Sequence, residues 1–96
     1  MARKSIFITG GGSGIGRAIA QKFAAEGWFV GLGDISDSGM AETVALIGKD
    51  NCFTHNFDVR ELAAWHTALD AFSVAAGGRI DVLANNAGIP IGGSLI

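Results

Sequence analysis

Short runs of consecutive apolar residues alternate along this chain with longer stretches in which apolar residues return every three or four positions. The first run, Ser5–Thr9, carries Ile6, Phe7 and Ile8 together and is closed by glycine. A run with no polar alternation predicts a strand buried on both faces. Over residues 14–26, Ile15, Ile19 and Phe23 recur with Ala18 beside them, while Arg17, Gln21 and Glu26 lie off that stripe. This predicts an amphipathic helix stopped by Gly27. Residues 28–33 are again short and apolar, a second buried strand. Ser36 or Asp37 can cap the next helix, with Met40, Val44 and Ile47 as its stripe and Gly48 as its stop. Residues 51–57 read as a third, weaker strand. Over residues 60–76, Leu62, Trp65, Leu69, Phe72 and Ala76 give the most regular helical period in the chain, ended by Gly77 and Gly78. Ile80, Val82 and Leu83 mark a fourth strand over residues 79–84.

The predicted order is β-α-β-α-β-α-β. Strict alternation implies a parallel sheet with right-handed helical crossovers. In the Rossmann-type doubly wound arrangement the strand order is 3-2-1-4, the carboxyl ends of strands one and four lie side by side, and ligands bind in the crevice between them. The 96 residues allow one domain at most.

Composition narrows the function. Nearly half the chain is apolar (49%) and 17% is charged, which excludes a disordered tail. Seven basic residues against nine acidic ones give a net charge of -2, so no nucleic-acid surface is expected. No apolar run approaches the ~20 residues of a membrane span, and Ile6-Phe7-Ile8 is too short for the core of a secretory signal. The cytoplasm is the expected compartment. Cys52 is the single cysteine and fits a small buried position. His55 and His66 have no second ligand at metal-binding spacing, so no metal is expected.

Fifteen glycines is about twice the usual ~7% share, and the densest group lies between the first strand and the first helix. Residues without a Cβ let the chain turn tightly and let a diphosphate approach the backbone, while the helix N-terminus behind them offers unpaired N–H groups. Gly11 and Gly16 have Walker A spacing, but Arg17 and Ala18 follow where Lys and Ser/Thr are needed, so triphosphate hydrolysis is not expected. The strict G-x-G-x-x-G fingerprint also fails, because Arg17 occupies its third glycine position. Asp34 ends the second strand eighteen residues after Gly16, where an acidic residue hydrogen-bonds the adenosine ribose hydroxyls. A carboxylate there repels a 2′-phosphate, so NAD is expected over NADP. Arg17 complicates this expectation, since a nearby arginine can accommodate that phosphate. Asp58, after the third strand, can accept from the adenine amino group with Val59 against the ring, or can simply cap the next helix. Asn85-Asn86-Ala87-Gly88 offers amide and small side chains at the end of the fourth strand.

Thr9-Gly10-Gly11-Gly12-Ser13-Gly14-Ile15-Gly16, Asp34, Asp58-Val59 and Asn85-Asn86-Ala87-Gly88 occur in the order and spacing of the short-chain dehydrogenase/reductases, and the chain resembles that family over essentially its whole length. The resemblance implies hydride transfer between NAD or NADP and an alcohol or ketone. It implies that Gly10, Gly12, Ser13, Gly14, Ile15 and Gly16 surround the pyrophosphate and the nicotinamide ribose. Asp34 would then take the adenosine ribose, Asp58 and Val59 the adenine, and Asn86, Ala87 and Gly88 the cofactor's ribose side. Asn85 would tie strand four to its neighbour.

The family's catalytic serine, tyrosine and lysine follow the Asn-Asn-Ala-Gly segment, and this chain has no tyrosine. The expectation is therefore the N-terminal part, residues 1–96, of one NAD(P)-binding domain cut after strand four. Its full-length parent would be an oxidoreductase and a homo-oligomer. The alternative is a truncated dinucleotide-binding module without catalysis.

Overall fold

A computed structural model describes residues 3–86. The chain runs β1 (Ser5–Thr9), α1 (Gly14–Ala25), β2 (Phe29–Asp34), α2 (Asp37–Ile47), β3 (Cys52–Asn56), α3 (Leu62–Ala75) and β4 (Val82–Asn85). The four strands form one parallel sheet in the order β3-β2-β1-β4, as expected.

Alternation along the strands divides the core in two. Ile6 and Ile8 of β1 and Val30 and Leu32 of β2 face Ala20 and Met40, with Ile19, Phe23, Val44 and Ile47 packed around them. Phe7 points the other way, into a cluster with Phe57, Trp65, Ala68 and Phe72 under α3. Every residue of β1 is buried, which is why its sequence shows no polar alternation. On the α3 side β2 presents Gly31, where a Cβ would lie 2.5 Å from Phe7 and 2.6 Å from Phe72. The aromatic rings fill the space that a side chain on β2 would occupy, and Phe7 and Phe72 sit 5.2 Å apart, centroid to centroid.

Several boundaries and faces differ from expectation. A 3-10 turn, Lys49–Asn51, precedes β3, so the strand starts at Cys52. The third helix begins at Leu62, not at residue 60. The fourth strand is Val82–Asn85; Arg79 and Asp81 instead brace the start of β1. Ser5 donates its amide to Asp81 Oδ2 at 2.8 Å and its hydroxyl to the Arg79 carbonyl. Ile15 and Leu62, both read as core stripe, are 71% and 60% exposed. The buried seam of α1 runs through Gly16 and Ala20, and that of α3 through Trp65, Ala68 and Phe72. Trp28 is half-buried, edge-on to Phe23. Cys52 is also half-buried, and that burial raises its thiol pKa.

Candidate cofactor site

Three strand ends and the glycine loop meet at one end of the sheet. β1 ends at Thr9, whose hydroxyl lies 3.1 Å from Asn85 Oδ1 in its register partner on β4. Asn85 thus ties strand four to strand one, as expected. The chain then turns at Gly10 (φ 71°), whose N–H donates to the Gly33 carbonyl at 2.7 Å.

Gly16, in the first turn of α1, packs against this turn. A Cβ there would lie 2.0 Å from the Gly10 carbonyl oxygen and 2.9 Å from Asn86 Nδ2. The helix can approach the strand end so closely only because position 16 has no side chain. Gly14 (φ 56°) differs, because its Cβ direction is open, with nothing within 4 Å. Ser13 is the N-cap of α1 and makes no side-chain cap hydrogen bond, and the first turn holds no acidic residue. Ser13, Gly14 and Ile15 are exposed. The front of α1 therefore presents uncapped amides, the geometry that suits an anionic group. The exposure of Ile15 places it at the rim of this site instead of in the core.

Asp34 joins this loop to its neighbour. One carboxylate oxygen accepts the Gly12 N–H at 2.9 Å, and the other accepts the Ser36 N–H at 3.1 Å. Ser36, not Asp37, caps α2, accepting the Gly39 N–H at 3.0 Å. Asp34 also lines a pocket of about 250 Å³ with Gly10, Ile35, Phe57, Asp58, Val59 and Arg60. That volume is below the ~300–1,000 Å³ of a whole small-molecule site, so the pocket has room for part of a dinucleotide only.

Asp58 does not cap α3. Glu61 is the N-cap, and Asp58 Oδ1 accepts the Arg60 N–H at 2.9 Å while Oδ2 accepts from the Arg60 guanidinium at 2.7 Å. These hydrogen bonds from the Arg60 side chain and backbone lower the Asp58 pKa to about 2. The Val59 carbonyl accepts from the Trp65 indole N–H at 2.7 Å. Trp65 thus holds the loop as well as filling the core. Asn86 Nδ2 lies 3.5 Å from the Gly10 carbonyl, on the β4 side of the glycine loop. Ala87 and Gly88 lie outside the described residues.

Sequence reasoning missed a second layer behind the loop. Arg17 reaches α2, donating Nε to Thr43 Oγ1 at 2.9 Å and a terminal nitrogen to the carbonyls of Gly12 and Gly39. The Thr43 hydroxyl, fully buried, donates to the Gly11 carbonyl at 2.7 Å. Gly39 makes this approach possible, since a Cβ there would lie 2.6 Å from the Gly12 carbonyl oxygen. A glycine inside a helical stretch costs about 1 kcal/mol against alanine, so Gly39 was the one signal in the sequence that something packs closely there. Among the described residues no group of three or more His, Cys, Asp or Glu side chains is placed to hold a metal, and no helix is long and apolar enough to cross a membrane.

The comparisons agree with this geometry. The family model for short chain dehydrogenase matches residues 4–95, and the chain belongs to that family. It is 36% identical over 93 residues to meso-2,3-butanediol dehydrogenase of Serratia marcescens, covering 97% of this chain and 37% of that protein. It is 38% identical over 90 residues to L-2,3-butanediol dehydrogenase of Corynebacterium glutamicum, covering 90% of this chain and 34% of that protein. The chain thus spans little more than a third of these relatives. Among solved structures, carveol dehydrogenase from Mycobacterium avium in complex with NAD superposes with a TM-score of 0.82 at 31% identity, over 94% of this chain and 37% of that one. A polyketide ketoreductase with NADPH superposes with 0.83 at 29% identity, over 94% of this chain and 36% of that one. The fold is accordingly the Rossmann-type α/β fold of the N-terminal part of that family's members.

Proposed function

We propose that these residues form the cofactor-binding part of a dehydrogenase that moves hydride between NAD and a small alcohol or ketone. The observation that carries the reading is Asp34, which links the glycine loop through Gly12 to the pocket lined by Asp58 and Val59. The nicotinamide cofactor, when bound, supplies the hydride chemistry; this chain's residues hold and orient it. Gly10, Gly12, Ser13, Gly14, Ile15 and Gly16 take the pyrophosphate side, where the uncapped amides of α1 meet its charge. Asp34 takes the adenosine ribose hydroxyls, and Asp58 and Val59 take the adenine. Asn86, Ala87 and Gly88 take the nicotinamide ribose side.

The carboxylate of Asp34 favours NAD, because a 2′-phosphate beside it meets like charge at a cost of up to several kcal/mol. Arg17 does not offset this, because it hydrogen-bonds the loop backbone and Thr43 and pairs with Glu42 at 3.1 Å. Asp34→Ala also removes the acceptor of two backbone amides and so lowers affinity for both cofactors. The informative quantity is the NAD to NADP affinity ratio, measured by calorimetric titration of the intact protein. It should fall about tenfold or more, and an unchanged ratio refutes the role of Asp34.

The 96 residues contain no tyrosine. The family's proton-transferring tyrosine is therefore not among them, and alone they are proposed to bind without turnover. Alcohol oxidation by the purified 96-residue chain would overturn that part of the reading. The proposal places the reaction in the cytoplasm, which the single unpaired Cys52 fits.

A further inference from the structure

The Gly10 and Gly12 amides of the loop are taken by the Gly33 carbonyl and by Asp34, the uncapped amides begin at Ser13, and the loop's carbonyls are taken up by two side chains from outside it. The Gly11 carbonyl accepts from Thr43, the Gly12 carbonyl accepts from Arg17, and Arg17 and Thr43 bond to each other at 2.9 Å. Arg17 also reaches the Gly39 carbonyl at 3.1 Å, so the same group fastens α2 to the loop. A peptide unit cannot turn its carbonyl one way without turning the next amide the other way. We propose that Arg17 and Thr43 act as a clamp that fixes the direction of these peptide groups. Both are thus positioning residues: Arg17, through the Gly12 carbonyl, sets the Ser13 amide toward the dinucleotide's diphosphate, and Thr43, through the Gly11 carbonyl, sets the Gly12 amide that Asp34 accepts.

This rests on the cofactor reading above and adds the device that prepares the site. The Arg17 side chain is 24% exposed, with Nε on Thr43 and Nη2 on the Gly12 and Gly39 carbonyls and Glu42. Its charge is held on backbone and on Glu42, so it orders the site without meeting the phosphates. Thr43 is the sharper member of the pair, because a fully buried hydroxyl that both accepts and donates leaves two groups unmatched when it is removed.

The test uses the intact protein with Thr43→Val, Thr43→Ser and Arg17→Met. Thr43→Val keeps the shape of the side chain, so it preserves the fold where Arg17→Met fails to. Titration with NAD, NADP, ADP-ribose and adenosine separates the diphosphate from the nucleoside. Arg17→Met should weaken NAD, NADP and ADP-ribose alike by about ten- to a hundredfold and leave adenosine unchanged; Thr43→Val should weaken ADP-ribose by a similar factor and also lower the NAD to NADP ratio through Asp34, and Thr43→Ser should restore both. Without ligand, the amides of residues 11–14 should exchange hydrogen faster in Thr43→Val than in the parent. Wild-type affinity for ADP-ribose in Thr43→Val, an unchanged ratio in that variant, or equal losses for adenosine and ADP-ribose in Arg17→Met would overturn the clamp. If the unaltered protein binds neither NAD nor ADP-ribose, the cofactor reading fails and the clamp's role toward the diphosphate fails with it. Faster loop exchange without any ligand effect overturns the clamp alone.

Discussion

The segments that follow β1 and β3 leave the sheet at the same end and border the same pocket, yet they are held in opposite ways. The polar groups after β1 are satisfied from far along the chain: Asp34 is 22 positions from Gly12, Thr43 is 32 from Gly11, and Asn86 is 76 from Gly10. After β3, Asp58 is satisfied by Arg60, two positions on, and the Arg60 side chain is 75% exposed. The backbone there is pinned at two points, the Val59 carbonyl by Trp65 and the Phe57 N–H by the Asp34 carbonyl. The first segment is part of the packed interior and moves only if the fold moves. The second is a local ion pair on a pinned backbone, free to exchange partners with water or a ligand. The rigid side suits a diphosphate, which every such cofactor shares, and the adjustable side suits a base.

The contrast can be broken most severely at Gly16. A methyl group there meets the Gly10 backbone at 2.0 Å with no flexible side chain to yield. Gly16→Ala should therefore destabilise the fold by about 3 kcal/mol or more, read as a shift in the urea midpoint; an unchanged midpoint would mean that the loop and α1 are not packed as described. Gly14→Val should have a smaller structural effect and a large functional one. Its Cβ enters open space, and the positive φ costs a β-branched residue roughly 1–2 kcal/mol. NAD affinity should be lost while circular dichroism keeps the folded spectrum, and retained affinity would remove the loop from the site.

The smallest effect is expected after β3. Asp58→Asn should leave the melting temperature at pH 7 nearly unchanged, because an exposed ion pair adds little. Its sign with pH is fixed. The Asp58 pKa is lowered in the fold to about 2 from an ordinary 3.8. Any stabilisation is therefore present above about pH 4 and lost as pH falls toward 2. Parent and Asp58→Asn midpoints should converge over that interval, and a gap that widens there would contradict the Arg60 pairing.

Much of the layout was legible because it depends on local pattern. Consecutive apolar residues at β1, helix stops at Gly27 and Gly48, and β-α alternation are enough to give four parallel strands in the order 3-2-1-4. The faces of α1 and α3 were less legible. Ile15 and Leu62 continue the apolar period, but each stands in its helix's first turn and is left exposed by the described residues. Periodicity reports which side of a helix is apolar and not where its partner ends. The roles of Arg17 and Thr43 were not legible, because their meaning comes from a contact between residues 26 positions apart. The sequence places Arg17 off the apolar stripe and sets it against NAD preference; its hold on Thr43 and two carbonyls belongs to the folded chain alone.

The place of β1 in the sheet has a consequence for how the chain is built. It is translated before the other three strands, yet it lies between β2 and β4, and Thr9 pairs with Asn85. Its inner edge can be occupied early by β2, whereas its other edge has no partner until more than seventy further residues have been translated. Contacts of such long sequence separation form slowly. Until β4 arrives, a strand whose every residue is buried in the finished fold is left open along one side during synthesis, and this is the interval in which a chaperone would matter most to this protein.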